Sequence, residues 1–369
     1  MVLSGTVKIR AKPAFEAHNP VIHGGLSSKN TNISGIVDFS SNVTPAGMPR
    51  QVKNTLYKQI EKINDYPDIR SSKLLFALSK YSQIPQSNLI AGNGAVEIIY
   101  NFCNAFLSKN TPVLIPIPTF GEYEAASKLN TPKILYFKTM DLSQDLDRFI
   151  SQIPKNGCVF VCNPNNPTGK LVFKKEMLKI IRTAKKQNSL VFVDECFIEL
   201  VPESDQSVIS SVTKFDNLVV LRSLTKSFGL AGIRVGYAAS SKYVISILKK
   251  IKIPWSVNLM AEHAAITALN HTSHLSKSNF IIKKEYAFLK NKIARMDGFE
   301  LIESSTNFIL VKTKHDSSEL QKKLLEKKIL VRDCKNFAGL NNHFIRIAIK
   351  SHKDNLKLVQ ALEKIIWHP

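Results

Sequence analysis

Apolar runs of strand length alternate with amphipathic helical stretches between residues 49 and 255, and this alternation constrains the fold most strongly. The runs are short and end at proline or polar residues, which is typical of strands buried on both faces. Strands are predicted at Pro112–Ile117, Lys133–Phe137, Cys158–Cys162, Leu190–Val193, Leu218–Leu221 and Arg234–Ala239. Helices are predicted at Ala95–Leu107, Lys174–Gln187 and Phe280–Arg295. The pattern predicts an α/β fold with a mostly parallel central sheet.

The chain changes character after Trp255. A long helical stretch leads to strands at Asn307–Thr313 and Phe344–Ile349, and a helix near Lys353–Ile366 closes the chain. This second half is typical of a smaller α+β domain. Three parts are therefore predicted: an N-terminal segment that packs on the small domain or on a partner subunit, a large domain and a small domain, at residues 1–48, 49–258 and 259–369.

The net charge of +22 is the one feature that points towards a nucleic-acid partner. The lysines, however, occur in ones, twos and a few threes spread along the predicted helices. They are not accompanied by interleaved aromatics, a glycine-arginine tract or a basic tail. This distribution indicates a lysine-rich solvated surface that attracts anionic substrates. A regulator that binds nucleic acid is kept as the alternative from another functional class.

Membrane, disulfide and metal-site signals are missing from the sequence. The longest apolar runs fall short of the roughly 18 residues that a membrane helix needs, and residues 1–14 lack the apolar stretch of a signal peptide. A cytoplasmic location is expected. The five cysteines are odd in number and have neither disulfide nor metal-ligand spacing, and the nine histidines are scattered. We therefore predict no metal site.

One lysine lies in a hydroxyl-rich turn directly after a strand. Ser223, Thr225 and Lys226 follow the apolar run that ends at Leu221, and Arg234 comes eight residues after the lysine. A lysine that forms an imine with an aldehyde must be partly neutral, so it requires a cationic or desolvated pocket. The hydroxyls and the guanidinium suit a phosphate dianion beside it. The stretch predicts covalent chemistry at Lys226 next to a phosphate site.

Polar residues also follow the two preceding strands. The loop 163–169 contains two prolines and a glycine, comes directly after Cys162 and includes Asn166. Loops at the carboxyl ends of parallel strands are where α/β proteins bind ligands. Asp194 comes directly after the next predicted strand, and an acid in such an apolar setting is costly unless a cation pairs with it. Asn166 and Asp194 are therefore predicted to line the site.

Two further features favour anions. A glycine-rich turn at Asn93, Gly94 and Ala95 begins a helix, where backbone N–H groups and the helix dipole attract negative charge. Arg346 lies inside an apolar strand and Arg332 lies at the end of another. A buried arginine needs a planar anion such as a carboxylate. Two arginines that converge on one pocket suit a substrate with two anionic groups.

Together these motifs resemble those of the class I and II aminotransferase-like enzymes, which use pyridoxal 5'-phosphate (PLP) and have PLP fold type I. The resemblance implies that Lys226 holds PLP as a Schiff base, that Asp194 pairs with the protonated pyridine nitrogen, and that Asn166 donates to the phenolic oxygen. It places Phe120 on the pyridine face, with Tyr123 as the alternative. The remaining cofactor contacts, mostly to the phosphate, fall on Asn93, Gly94, Ala95, Ser223, Thr225, Arg234 and Tyr66.

Two branches of this family compete. The resemblance favours L-threonine-O-3-phosphate decarboxylase of cobalamin biosynthesis, which forms (R)-1-aminopropan-2-yl phosphate, and keeps histidinol-phosphate aminotransferase as the alternative. Four features resemble the decarboxylase: His23-Gly24-Gly25 with the segment 38–47, Phe197 in place of a tyrosine, the stretch 222–226, and the stretch 332–340. Ala46, Met48 and the stretch 229–232 depart towards the aminotransferase.

The decarboxylase resemblance also implies a substrate site. Arg346 and Asn166 would hold the substrate carboxylate. The substrate phosphate would be bound by Arg332, His23 and the backbone of Gly24 and Gly25, and Asn42 would lie beside them. After CO2 leaves, Lys226 or a water would return a proton to Cα. Tyr66 would reach the cofactor phosphate of the neighbouring subunit, which implies a homodimer.

Overall fold

The structure, a computed structural model, describes residues 10–25, 34–202 and 205–367. Residues 1–9 and 26–33 of the predicted N-terminal segment lie outside the described residues. The strands, in chain order, are β1 (Val37–Asp38), β2 (Leu89–Gly92), β3 (Val113–Ile117), β4 (Ile134–Lys138), β5 (Cys158–Cys162), β6 (Leu190–Asp194), β7 (Leu218–Ser223), β8 (Gly236–Ser240), β9 (Phe299–Ile302), β10 (Phe308–Thr313), β11 (Ile329–Leu330), β12 (Arg332–Asp333) and β13 (Phe344–Ala348).

The helices surround these strands and alternate with them in the first half of the chain. In chain order they are α1 (Pro13–Glu16), α2 (Arg50–Gln59), α3 (Ser72–Ser82), α4 (Gly94–Phe106), α5 (Glu122–Lys128), α6 (Leu146–Ser151), α7 (Lys174–Lys186), α8 (Leu224–Ser227), α9 (Lys242–Ile251), α10 (Leu259–Leu269), α11 (Ser273–Ile293), α12 (Ser317–Glu326) and α13 (His352–Trp367). Among the described residues, every helix is too short or too polar to span a membrane.

Seven strands form the central sheet in the order β2-β8-β7-β6-β5-β3-β4. Strands β3 to β7 run parallel, whereas β8 is antiparallel to both of its neighbours. All residues of β5 and β7 are buried, as expected for strands that helices cover on both sides. The register sets Asp194 beside Cys162 on one side and beside Leu221 on the other. The loops after β5, β6 and β7 therefore leave the sheet at the same edge.

Helix α7 illustrates how the helices attach to this sheet. Its buried residues Met177, Ile180, Ile181 and Ala184 recur at intervals of three, four and seven positions, which places them on one face of an α-helix. Its lysines lie on the remaining surface. The lysine-rich composition is therefore compatible with an apolar core, because the positive charge lies on the solvated faces of amphipathic helices.

A second, antiparallel sheet of four strands has the order β12-β13-β10-β9. Strand β1 pairs in parallel with β11 nearby. The backbone N–H of Phe39 donates to the carbonyl of Leu330 (2.7 Å), and Phe39 in turn accepts from the N–H of Ala348 (2.8 Å). These two hydrogen bonds attach the chain around Phe39 to strands of the second half of the sequence, about 300 residues away.

The α/β class with a mostly parallel sheet is confirmed. Each of the six strands predicted in the first half is present, with ends that agree within two residues. The prediction missed β2, and it placed the start of α11 at Phe280 although the helix begins at Ser273. The division of the chain at residues 48 and 258 stays a prediction.

Candidate active site

A cavity of about 880 Å³ lies at the carboxyl edge of the central sheet and is lined by residues of both halves of the chain. Most residues that the sequence predicts for the site contribute to its wall: His23, Gly24, Asn42, Ala95, Phe120, Asn166, Asp194, Ser223, Thr225, Lys226, Arg234, Arg332 and Arg346. Of the predicted residues, Gly25, Tyr66, Asn93 and Gly94 are not part of this wall.

Lys226 lies on the short helix α8, immediately after β7. The hydroxyl of Ser223 caps this helix by accepting from the N–H of Thr225 and lies 2.6 Å from the Thr225 hydroxyl. The N–H of Thr44 donates to the carbonyl of Lys226 at 2.9 Å, which holds the lysine backbone from the other side. Burial, followed by the nearby charge of Arg346, lowers the pKa of the lysine to about 8. A neutral, nucleophilic amine is therefore accessible near neutral pH.

Asp194 ends β6 and is buried. Its carboxylate accepts hydrogen bonds from the hydroxyl of Tyr123 (2.7 Å) and from the N–H of Cys196 (2.9 Å), and both donors are neutral. Burial raises the pKa of this carboxyl, and the two hydrogen bonds partly offset the rise. Such a group is stabilised by a cation placed in the cavity. Tyr123 stacks on Phe160 (ring centroids 5.2 Å apart) and supports Asp194. Tyr123 and Phe120 both line the cavity, so both stay candidates for the pyridine face.

Arg346 joins the two halves of the site. Its guanidinium donates to the side-chain oxygen of Asn166 and, over 2.7 Å, to the carbonyl of Ser40. Its Nε is buried without a hydrogen-bond partner, and burial lowers the pKa of the guanidinium to about 10. The contact with Arg346 occupies the oxygen of Asn166, which leaves the amide NH2 group as the predicted donor. An anion in the cavity would satisfy the unpaired Nε–H of Arg346.

Arg332 is the direct cross-strand partner of Arg346 in the β12–β13 pair. Its guanidinium donates to the carbonyl of Ile22 (2.6 Å) and to the side-chain oxygen of Asn336 (2.9 Å). Burial lowers the pKa of Arg332 as well. Like charges placed opposite each other on one sheet face are unfavourable. The pair is therefore suited to a ligand that carries at least two negative charges.

Gly94 begins helix α4 and lies against Arg234. Its φ is +77°, and a Cβ at this position would lie 2.5 Å from Nη2 of Arg234. Only glycine fits there, because both the backbone conformation and the space exclude a side chain. The guanidinium of Arg234 thus lies over the start of α4, and Ala95 next to it lines the cavity. This combination of a helix start and an arginine suits a phosphate.

The N-terminal segment contributes His23. Its Nε2 lies 2.6 Å from Oε1 of Glu122, and its ring lies 5.8 Å from the ring of Phe120, measured between centroids. Gly24 lies on the cavity wall, whereas Gly25 is not part of it, and the N–H of Gly25 donates to the hydroxyl of Ser40 (2.8 Å). The predicted contact between the Gly25 backbone and substrate phosphate stays a prediction.

Asn42 is buried on the cavity wall. Its backbone carbonyl accepts from the side chain of Asn307 (3.1 Å), and its side-chain oxygen is buried without a hydrogen-bond partner. An unpaired buried acceptor beside the cavity is stabilised by a ligand that donates a hydrogen bond. The predicted role of Asn42 near the substrate stays a prediction.

Comparison with known proteins assigns the family. The sequence pattern described as aminotransferase class I and II matches residues 34–365. The chain belongs to this family. It is 33% identical to the histidinol-phosphate aminotransferase of Methanococcus aeolicus over 361 residues, which are 95% of this chain and 96% of that protein. It is 35% identical to a putative threonine-phosphate decarboxylase of Caldanaerobacter subterraneus over 327 residues, covering 87% of this chain and 88% of that protein.

A solved structure agrees with this assignment. The crystal structure of the histidinol-phosphate aminotransferase from Clostridium acetobutylicum is 29% identical and superimposes with a TM-score of 0.84 over 90% of this chain and 100% of that one. The chain thus has the fold type I architecture of PLP-dependent enzymes, as predicted, and its cofactor is PLP.

The residues of this aminotransferase-family site fit PLP in three separate respects. The Lys226 amine, with its lowered pKa, matches the aldehyde of the cofactor. The buried carboxylate of Asp194, which has only neutral donors, matches a protonated pyridine nitrogen. The start of α4 beneath Arg234, with Ser223 and Thr225 nearby, matches the phosphate. Asn93, however, is exposed, and its N–H donates to Glu97 (2.6 Å).

Tyr66 lies outside the cavity. Its side chain is 82% exposed, and its ring lies 5.1 Å from the ring of Trp255, measured between centroids. Other large apolar side chains nearby in sequence are exposed as well, among them Tyr57, Ile63 and Ile69. An exposed apolar surface of this kind is typical of protein–protein contacts. The predicted donation of Tyr66 across a homodimer interface stays a prediction.

Sequence analysis missed a buried ionic network around Arg222. Arg222, on β7, donates to Glu195 (2.8 Å), to Glu199 (3.0 Å) and to the hydroxyl of Ser207 (2.7 Å). The hydroxyl of Tyr81 also donates to Glu199 (2.7 Å). The sequence held a signal for this network. Glu195 directly follows β6 and Arg222 lies near the end of β7, and these two strands are neighbours in the sheet.

We expect the substitution Arg222→Ala to lower the free energy of unfolding by about 3–5 kcal/mol, because it leaves two buried carboxylates without their cation. The matched control is Lys185→Ala, which removes the exposed ion pair with Asp216 and should cost less than about 1 kcal/mol. Denaturant unfolding of both variants, followed by circular dichroism, measures the difference. Equal losses in the two variants would contradict a structural role for the buried network.

Proposed function

We propose that this enzyme transfers an amino group from histidinol phosphate to 2-oxoglutarate. The observation that carries the proposal is the pair of buried cations, Arg332 and Arg346, beside the lysine amine. An aminotransferase binds two substrates in turn at one site. Histidinol phosphate carries a phosphate dianion and 2-oxoglutarate carries two carboxylates, so the same pair of arginines serves both.

The relatives support amino transfer. Besides the Methanococcus aeolicus enzyme, further relatives of 30–34% identity from bacteria and archaea have the name histidinol-phosphate aminotransferase. Each aligns over about nine-tenths of both chains. This similarity favours the alternative that sequence analysis kept, rather than the decarboxylation that it preferred.

Each side chain has a defined task in this proposal. When bound, PLP withdraws electrons from the substrate Cα, so that a bond to Cα can break. Asp194 provides the buried negative charge that keeps the ring nitrogen of the cofactor protonated. Nζ of Lys226 takes the proton from Cα, because burial and the charge of Arg346 keep it partly neutral. Arg346 and Arg332 bind the anionic groups, and Asn166 fixes the orientation of Arg346.

Decarboxylation of threonine phosphate is a second candidate, and two observations favour it. Phe197 lines the cavity with a ring that packs against Phe308 (centroids 5.0 Å apart) and offers no hydroxyl to the cofactor. His23 adds a further group for a phosphate near Arg332, which already bonds the carbonyl of Ile22. An amino acid with both a carboxylate and a phosphate also fits the arginine pair.

The test compares both reactions with the same purified enzyme and PLP. We expect glutamate to form from histidinol phosphate and 2-oxoglutarate, measured with a coupled dehydrogenase, and no CO2 to be released from O-phosphothreonine. The Lys226→Ala variant is the control for background reactions of free PLP. Release of CO2 without formation of glutamate would overturn amino transfer in favour of decarboxylation.

A further inference from the structure

A buried carboxylate lies behind His23 at the wall of the cavity. Glu122, at the start of α5, is 5% exposed. Its Oε1 lies 2.6 Å from Nε2 of His23, and its Oε2 accepts from the hydroxyl of Tyr100 over 2.8 Å. Glu122 does not line the cavity, whereas His23 does. The carboxylate can therefore influence a ligand only through the histidine.

We propose that Glu122 is a positioning residue that orients the imidazole of His23 towards the phosphate of the substrate. This inference rests on the proposed function in requiring a phosphorylated substrate, and it applies equally to histidinol phosphate and threonine phosphate. It assigns phosphate recognition to a unit of three side chains, His23, Glu122 and Tyr100, in addition to Arg332.

The hydrogen-bond directions determine the state of the imidazole. Burial raises the pKa of Glu122, but the hydrogen bonds from His23 and Tyr100 bring it below its ordinary value, so the group is a carboxylate. A carboxylate only accepts, so Nε2 of His23 must carry a proton. Nδ1 is thereby left for a ligand.

The location of His23 agrees with this role. The preceding residue, Ile22, accepts from Arg332 (2.6 Å) and from the side chain of Asn336 (3.3 Å) through its carbonyl. His23 therefore directly follows the residue whose carbonyl bonds the guanidinium of Arg332. Gly121 packs directly against Val21, since a Cβ at Gly121 would lie 3.1 Å from the Val21 side chain. The segment before His23 is therefore held from two sides, independently of Glu122.

Charged and titratable groups near the unit come from several elements. Glu122 and Tyr100 lie on α5 and α4, Arg332 lies on β12, and His18 of the N-terminal segment acts electrostatically on Glu122. Glu124 and Lys128, both on α5, also line the cavity, and Glu124 accepts a hydrogen bond from Lys128. Removing the charge of Glu122 therefore weakens the hydrogen bond that orients His23.

The test uses the holoenzyme and the variants Glu122→Gln, His23→Ala and the double variant. Glutamine keeps an oxygen that accepts from Nε2–H but lacks the charge. We expect Glu122→Gln to raise KM for the phosphorylated substrate about tenfold, as for a charge-assisted hydrogen bond that loses its charge, with kcat unchanged within about twofold. Adding Glu122→Gln to His23→Ala should have no further effect. Glu122→Asp, which keeps the charge, should lie closer to the wild type.

The matched control is Glu176→Gln, which alters a carboxylate that accepts from Ser143 (2.7 Å) outside the cavity wall. It should leave KM unchanged. If Glu122→Gln lowers kcat and raises the KM of both substrates together, or still acts in the His23→Ala background, Glu122 is only structural. If Glu122→Gln does not fold, Tyr100→Phe provides the same comparison. It removes the second donor to the carboxylate of Glu122 and should raise KM by a smaller factor.

Inorganic phosphate separates this inference from the proposed function. Its affinity is measured by the change that it causes in the visible absorbance of the bound cofactor, without turnover. Weaker phosphate binding in Glu122→Gln and His23→Ala supports the unit even if the wild type turns over neither substrate. Equal phosphate binding in all variants, together with normal turnover by the wild type, would overturn the inference alone.

Discussion

Replacing Lys226 with alanine should lower kcat by at least about ten-thousand-fold, as removal of a covalent catalyst does in other enzymes. The amine lies on α8 at the edge of the sheet where the loops after β5, β6 and β7 meet. Its pKa of about 8 arises from burial and from the charge of Arg346.

The same pKa predicts how cofactor attachment depends on pH. Only the neutral amine attacks an aldehyde, so the rate of PLP attachment to the apoenzyme should rise about tenfold per pH unit below pH 8 and level off above it. Visible absorbance after mixing with PLP measures this rate.

Lys226→Arg is the matched control for charge, because it keeps a cation but cannot form the covalent bond. Both variants should lack the absorbance of covalently bound PLP and both should be inactive, with an unchanged circular dichroism spectrum. If Lys226→Arg retained turnover, the positive charge rather than the amine would be the essential property. If Lys226→Ala retained turnover, another lysine would be the one that binds the cofactor.

The fold was predictable because the strands of the central sheet are mostly apolar. Residues of β5 and β7 are buried, and the apolar runs Cys158–Cys162 and Leu218–Leu221 end near the carboxyl edge of the sheet. Polar residues such as Asn166, Asp194 and Lys226 then stand out at the carboxyl edge. Strand β2 escaped prediction for the opposite reason. It has four residues and runs straight into the glycine-rich turn at Gly94, so it resembles the approach to a helix.

The contacts that join distant segments could not be predicted in this way. His23 and Glu122 are 99 residues apart, and Asn166 and Arg346 are 180 residues apart. Spacing along the chain carries information about one element and its neighbours, whereas these pairs depend on how the second half folds back over the sheet. Motifs identified the members of each pair as candidates, except Glu122, which lacks a feature that separates it from an ordinary first-turn acid.

The choice between decarboxylation and amino transfer has a similar physical origin. Either reaction uses a lysine, a buried acid and an arginine pair, so the same motifs predict both. The outcome depends on which bond of Cα is held perpendicular to the cofactor ring. We propose that Arg346 and Arg332, with Phe197 on the wall of the same cavity, set that orientation.

Asp194→Asn should lower kcat by about a thousandfold, because it replaces by a neutral amide the buried charge that we propose pairs with the cofactor nitrogen. Removing one partner of a buried ion pair costs about 3–5 kcal/mol. The variant should still retain PLP through Lys226 and the phosphate contacts of α4 and Arg234. Loss of rate with the cofactor retained is the expected signature, measured by turnover and by visible absorbance on the same sample.

Tyr123→Phe provides the comparison that isolates the charge. The Tyr123 hydroxyl donates to Asp194 over 2.7 Å, so its removal takes one neutral hydrogen bond from the carboxylate and leaves the charge in place. We expect a loss of about tenfold or less, in line with a net hydrogen-bond contribution of about 1 kcal/mol. If Asp194→Asn lowered kcat no more than Tyr123→Phe does, the carboxylate would act only as a hydrogen-bond acceptor. Its charge would then not be needed to keep the ring nitrogen of PLP protonated. A large gap between the two variants ties the rate to the charge itself, since they alter the same hydrogen bond from opposite ends.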